Sequence, residues 1–154
     1  MKELIEIFYT GLSNRDAEAM LSCYHDDVIF EDPAFGKLKG DRAKAMWRML
    51  CKNGKDLKIE FSEIESTINT GKAHWEAWYK FSKTGRLVHN KINAQFEFKD
   101  GKIIKHIDHF NLHRWASQAI GWKGKLLGGT GFFKKKLIKQ TNKMLDKFMT
   151  LPSL

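Results

Sequence analysis

Apolar residues at Leu4, Ile5, Phe8, Tyr9 and Leu12 recur at the spacing that gives a helix over 2–13 one buried face. Ser13 and Asn14 break the pattern. A second short helix is predicted over 15–24, closed by His25, Asp26 and Asp27, after which Val28, Ile29 and Phe30 read as a strand stopped by Pro33. Gly36 and Gly40 flank a loop. Asp41 is placed to cap a third helix that runs to Gly54, with Met46, Trp47 and Leu50 on its inner side. From there the period falls from 3.6 to 2. Strands are predicted over 57–68, 73–82, 87–98 and 102–112, separated by the turn sequences NTGK, SKTGR and KDGK. Ile92, Ala94, Phe96 and Phe98 alternate with Lys91, Asn93, Gln95 and Glu97, so one face of that strand is apolar. Trp75, Ala77, Tyr79 and Phe81 likewise share a face, with Trp78 on the other. The expected class is α+β: a curved antiparallel sheet forms a cone over the N-terminal helices and encloses an apolar pocket.

The pattern changes again after residue 113. Five glycines fall between 121 and 131, so 116–131 is expected to be a flexible or tightly turning connector. A last helix follows over 132–150, with Phe133, Leu137, Met144, Leu145 and Phe148 as its apolar stripe and six lysines around it. The expected organisation is therefore a domain over 1–115, a connector over 116–131 and an amphipathic helix over 132–150.

Composition is that of one ordinary globular domain: 154 residues, 42% hydrophobic and 29% charged. The net charge of +9 is unevenly placed. Residues 122–154 hold eight lysines against Asp146 alone, whereas residues 1–121 hold 19 basic and 17 acidic side chains. The body is nearly neutral and the tail basic. Cys23 and Cys51 have no ligand spacing and are expected to be buried thiols. Glu3 and Glu6 interrupt the first apolar stretch, unlike a signal peptide, and no run of about 18 apolar residues is present. A cytoplasmic location is the expectation.

The chemistry centres on YHDDVIFEDPAFGKLKG, residues 24–40. This stretch resembles the ketosteroid isomerase and SnoaL-type polyketide cyclase branches of the nuclear-transport-factor-2-like superfamily, and DGKIIKHIDHF resembles the last hairpin of the cyclase branch. The resemblance covers about residues 1–115 and implies the cone fold. It also implies candidate roles. The aspartate of an equivalent Glu-Asp-Pro is the general base of ketosteroid isomerases, so Asp32 takes that candidacy. Burial among apolar neighbours would raise its pKa toward working pH. Strand alternation puts Asp32 on the face of Val28 and Phe30, and so toward the pocket; the alternative is that it only caps the turn before Pro33. Isomerases also use a tyrosine and a protonated aspartic acid as an oxyanion hole. Those positions fall on Phe8 and Ala94. Tyr9 is about 100° around the helix and is not expected to reach the same spot. Steroid isomerisation is therefore not expected.

Asp108 is the second carboxylate. A two-residue turn at Asp100-Gly101 pairs Phe98 with Ile103 and sends Asp108 outward. A three-residue loop pairs Phe96 with Ile104, Ala94 with His106 and Ile92 with Asp108, which turns Ile104, His106, Asp108 and Phe110 inward. The resemblance favours the second register and implies an acid/base role for Asp108. His106 would orient or donate; the alternative is that His106 and Asp108 satisfy each other as an internal network. Phe8, Phe30, Met46, Leu50 and Phe110 are the expected pocket lining, with Trp75, Tyr79, Ala94 and Phe96 from the sheet.

His25 and His113 are expected near element ends, His109 outward, and His74 and His89 beside turns, so no metal-ligand set forms. Hydrolase, Walker and dinucleotide-binding patterns are absent, and no cofactor is expected. The expected partners are a small hydrophobic ligand and a second copy across the outer sheet face, near Trp78 and Ile107. Nucleic acid is disfavoured, because the tail lysines form one polar side of an amphipathic helix, with Phe133 and Phe148 on its apolar stripe, and no recognisable reading element is present. That helix either packs on the protein or lies on a membrane surface. Two functions compete: acid/base catalysis of isomerase, cyclase, dehydratase or epoxide hydrolase type, and a non-catalytic dimeric ligand carrier or membrane-surface module.

Overall fold

The computed structural model describes residues 1–152. Its elements run α1 (Lys2–Ser13), α2 (Ala17–Ser22), β1 (Tyr24–Asp32), β2 (Gly36–Lys39), α3 (Asp41–Asn53), β3 (Lys58–Ser66), β4 (Thr70–Lys80), β5 (Leu87–Lys99), β6 (Lys102–His109), α4 (Leu112–Ile120), α5 (Trp122–Leu127) and α6 (Gly131–Met149). The six strands form one open sheet in the order β2-β1-β6-β5-β4-β3. The expected all-antiparallel sheet is corrected at one place: β1 runs parallel to β6, with Phe30 beside His106. The loop expected between Gly36 and Gly40 is instead the edge strand β2, which pairs with β1.

Helix 2 ends earlier than the pattern suggests. Asp16 caps α2 by accepting from the Ala19 amide, and the helix stops at Ser22, so Tyr24 opens β1 and enters the core. Gly40 rather than Asp41 occupies the cap position of α3.

Register shifts in β1, in β3 and between β5 and β6 bend the sheet, as extra residues in a strand do. Ile5, Phe8, Tyr9 and Leu12 of α1 and Met46 and Trp47 of α3 pack into the core cluster with Phe30, Trp75 and Ile92 of the sheet. The alternation predicted for β5 holds: Ile92, Ala94 and Phe96 are buried between exposed neighbours.

The largest departure is the C-terminal third. The expected connector is helical, formed by the end of α4 and by α5, which fold tightly together. A Cβ on Gly124 would sit 2.0 Å from the Ala116 carbonyl oxygen, so only glycine permits α5 to lie this close to α4. Asn111 ends the β6 extension predicted to 112, because its side chain caps α4 through the Arg114 amide. Val88, Trp115, Ala116 and Ala119 form a second apolar cluster, against which Phe133 and Leu137 of α6 pack.

Helix α6 is seated on the body. Leu145 is fully buried in the main core, and Phe148 packs against it. Thr141 Oγ1 donates to the Ala34 carbonyl, and Asn142 Nδ2 donates to the Phe35 carbonyl, each at 2.9 Å. Arg42 of α3 reaches Asp146 at 2.6 Å and Asn142 at 2.8 Å. The stripe that a membrane-lying helix would submerge is thus largely turned toward the protein, and the lysines face outward.

Candidate active site

The sheet, α3 and the C-terminal helices enclose a cavity of about 750 Å³. Phe30, Met46, Leu50, Trp75, Tyr79 and Phe110 reach its wall, together with Asp32 and Asp108. Phe8, Ala94, Phe96 and His106 do not: they are buried behind it.

Neither register considered for the last hairpin is the one formed. Asp100 and Gly101 make a two-residue turn with positive φ at both positions, pairing Lys99 with Lys102 and Phe98 with Ile103. A bulge then inserts Ile104, and the pairing resumes as Glu97 with Lys105, Phe96 with His106 and Ala94 with Asp108. Ile103, not Ile104, is fully buried. The tight turn and the inward His106 and Asp108 coexist because the bulge reverses the facing between them. The small residue opposite a polar one is Ala94 facing Asp108, whereas His106 faces Phe96.

His106 lies in an aromatic box. Phe8, Tyr24, Phe30, Trp47 and Phe96 surround its ring at centroid distances of 4.5–6.1 Å. A buried imidazole needs partners at both nitrogens, and both are present. Trp47 Nε1 donates to the Tyr24 hydroxyl at 2.8 Å, and Tyr24 lies 2.8 Å from His106 Nδ1. His106 Nε2 lies 2.9 Å from Asp108 Oδ1, which also accepts from Trp75 Nε1 at 3.3 Å. Indoles only donate and the hydroxyl has one proton, so the arrangement that satisfies every group for a neutral ring has Tyr24 donating to Nδ1 and Nε2–H donating to Asp108. The result is a Trp-Tyr-His-Asp-Trp chain leading from α3 and β1 to the cavity wall.

Asp32 acts in two ways at once. Its Oδ1 accepts from the Ala34 and Phe35 amides at 2.8 and 2.6 Å, which closes the turn after β1. Burial nevertheless pushes its pKa up to about 7; the two amide bonds oppose that shift, and the nearby charge of Asp108 adds to it. Neither Asp32 nor Asp108 uses its second carboxyl oxygen in a hydrogen bond within the described residues, and neither second oxygen is sealed from the cavity.

Tyr79 contributes a hydroxyl. It accepts from Trp115 Nε1 at 2.7 Å, and burial, with a lesser contribution from the charge of Asp32, raises its pKa. Its own proton has no protein acceptor among the described residues. Tyr9 points into the core at a different place from Phe8, as their 100° separation on the helix implies: it packs against Phe61 and Trp75, whereas Phe8 packs on His106. Its buried hydroxyl has no hydrogen-bond partner, and burial and then Asp108 raise its pKa well above the ordinary value. Tyr24, Trp47, Tyr9 and Trp115 were not among the sequence candidates as polar groups. The parity of Tyr24 with Val28, Phe30 and Asp32 was the available signal for the first. No three His, Cys, Asp or Glu side chains among the described residues converge on a metal-sized gap.

The chain belongs to the SnoaL-like domain family, whose pattern it matches over residues 5–106. Its fold is that of several solved structures. A protein of ketosteroid isomerase-like fold from Catenulispora acidiphila, in complex with trimethylamine, is similar at a TM-score of 0.66 and 9% identity, over 76% of this chain and 92% of that one. A putative polyketide cyclase from Xanthomonas campestris gives 0.61 and 19%, over 75% and 93%. An epoxide hydrolase of LEH-like type from M. tuberculosis gives 0.59 and 21%, over 82% and 89%. No curated protein matches.

Proposed function

We propose that the cavity binds a small hydrophobic molecule bearing one polar oxygen and moves a proton on it. One observation carries this reading: two carboxyl groups open into a single apolar cavity, and the pKa of one of them is about 7. A carboxyl poised there can take a proton and return it at neutral pH. Asp32 is the proton carrier. Asp108 is the second carboxylate at the reacting end, and His106, which never reaches the ligand, positions it. Tyr79 has the free O–H with which to hold the ligand's oxygen as charge develops on it. The reaction class is acid/base chemistry of the isomerase, cyclase, dehydratase or epoxide-opening kind. The cyclase and epoxide hydrolase among the similar structures lend it support.

The second reading is a carrier without turnover, supported by the completeness of the His106–Asp108 network. The same reading puts a second copy on the outer sheet face, where Trp78 stacks on His89 at 4.4 Å.

Organic extraction of the purified protein, followed by mass spectrometry, identifies the molecule held in the cavity. That molecule is then incubated with wild-type protein and with Asp32→Asn and Asp108→Asn. Conversion by wild type alone supports catalysis. Recovery unchanged from all three overturns it and leaves the carrier.

A further inference from the structure

The corner where α5 meets α6 has a surface that the cavity chemistry does not use. Trp122, Leu126 and Phe132 are 69%, 70% and 73% exposed, and Leu127 is 52% exposed. Four exposed large apolar side chains within eleven residues is a density that soluble surfaces rarely leave uncovered. Lysines bracket it on both sides: Lys123 and Lys125 in α5, and Lys134, Lys135 and Lys136 in α6. All five are exposed, and none has an ion-pair partner among the described residues. Between Asp108 and Asp146 the chain has no acidic side chain.

We propose that this corner docks on the surface of an anionic lipid bilayer. Apolar tips flanked by cations match the interface of such a membrane, where the tips enter the acyl boundary and the lysines meet the headgroups. No helix among the described residues is long and apolar enough to cross, so the contact is with the surface. A second copy is a poor occupant, since it would set five lysines against five with no acidic partner. The corner is also rigid, because Gly124 and Gly128 press α5 onto Ala116 and leave the apolar tips outward.

The position of the corner adds a consequence. Leu127, Phe132, Lys123 and Lys136 belong both to the exposed corner and to the cavity wall. A docked protein therefore sets this part of the cavity wall against the bilayer, where an apolar ligand can pass between them without entering water. This loading step rests on the ligand reading above; the docking does not.

Full-length protein is sedimented with vesicles of phosphatidylcholine alone and of phosphatidylcholine mixed with phosphatidylglycerol. The expected result is binding to the mixed vesicles only, weakened by salt. Trp122→Ser with Leu126→Ser, and separately Lys134→Glu with Lys135→Glu, should each lower binding by roughly tenfold or more without changing the melting temperature. None of these four residues lines the cavity. Absence of binding to mixed vesicles overturns the proposal, as does binding that both double variants retain. Binding to a single-stranded oligonucleotide with no vesicle binding also overturns it. Transfer of N-phenylnaphthylamine from vesicles to protein tests the loading step: slower transfer to the Trp122/Leu126 variant supports it, and equal rates overturn it. Asp32→Asn should dock as wild type does, so loss of turnover there and loss of docking at the corner fail separately.

Discussion

The floor and the mouth of the cavity solve opposite problems. The floor brings polar groups into the core and pairs nearly all of them: Trp47, Tyr24, His106, Asp108 and Trp75 form one hydrogen-bonded chain at the bottom of the cone. The corner of α5 and α6 beside the mouth does the reverse, leaving Trp122, Leu126 and Phe132 exposed among lysines. A buried polar network is stable only when complete, so the floor has one arrangement and little freedom. An exposed apolar rim gains by being covered, so the mouth is the part suited to meeting something else. The SnoaL-like match, over 5–106, spans most of the floor and stops short of the mouth. The polar floor and the exposed corner are thus built by different stretches of chain.

The largest effect should come from breaking the floor. His106→Leu fills the same space but leaves the Tyr24 hydroxyl proton without its acceptor and takes from Asp108 one of its two donors, Trp75 being the one that remains. One orphaned hydroxyl proton and one buried carboxylate that has lost its shorter hydrogen bond, at about 1–3 kcal/mol apiece, give an expected loss of about 4 kcal/mol, read from urea unfolding. A loss below about 1 kcal/mol would mean that the network holds nothing together.

Where α6 is seated on the body, Leu145→Ala is expected to cost about 3 kcal/mol, since the side chain is fully buried in the main core. Its neighbour Met144, 47% exposed, should cost under about 0.5 kcal/mol on the same change. Equal, small effects at both positions would show that α6 is not seated in solution, and the distinction between a fixed floor and a covering mouth would need redrawing.

The floor was far more legible in the sequence than the mouth. Period-2 alternation marked Ile92, Ala94 and Phe96, and the helical stripe marked Phe8 and Met46, because burial on one face leaves a repeating pattern. The Glu-Asp-Pro stretch brought Asp32 forward. His106 and Asp108 were placed inward by resemblance, but through the wrong pairing. A bulge at Ile104 leaves no compositional mark, and a turn sequence fixes only the first pair of a hairpin. Tyr24 was lost to a helix boundary, where patterns are least sharp. The mouth was misread because its glycines have two meanings. Gly124 reads as flexibility from sequence, yet it is there so that two helices can touch. Contacts between elements far apart in the chain, such as Thr141 with Ala34, have no local signature at all.

Asp32 links the two regions, because it both closes a turn and faces the cavity. Its folded pKa of about 7 lies above the ordinary 3.8. Below about pH 4 the carboxyl is protonated in folded and unfolded chains alike. Between about 4 and 7 only the folded chain keeps the proton, so stability should fall as pH rises through that window and level off above it. With part of the shift screened by cavity water, the expected fall is about 2 kcal/mol. Asp32→Asn keeps an oxygen for the Ala34 and Phe35 amides and should remove that slope, becoming the more stable protein at pH 8. Parallel pH profiles for the two proteins would show that Asp32 is ordinary, and the proton-carrier role would go with it.

The smallest effect concerns the one floor group left out of the network. The Tyr9 hydroxyl is buried without a partner, although its ring stacks against Phe61 at 5.6 Å and tilts toward Trp75 at 5.8 Å. An unpaired buried hydroxyl carries an uncompensated desolvation cost, so Tyr9→Phe should raise stability by about 1 kcal/mol while the aromatic packing stays as it is. If the variant is more stable but holds the extracted ligand as tightly as wild type, the hydroxyl is a packing compromise. If stability rises and affinity falls together, Tyr9 shapes the ligand site from behind its wall, through the Trp75 ring that it packs against.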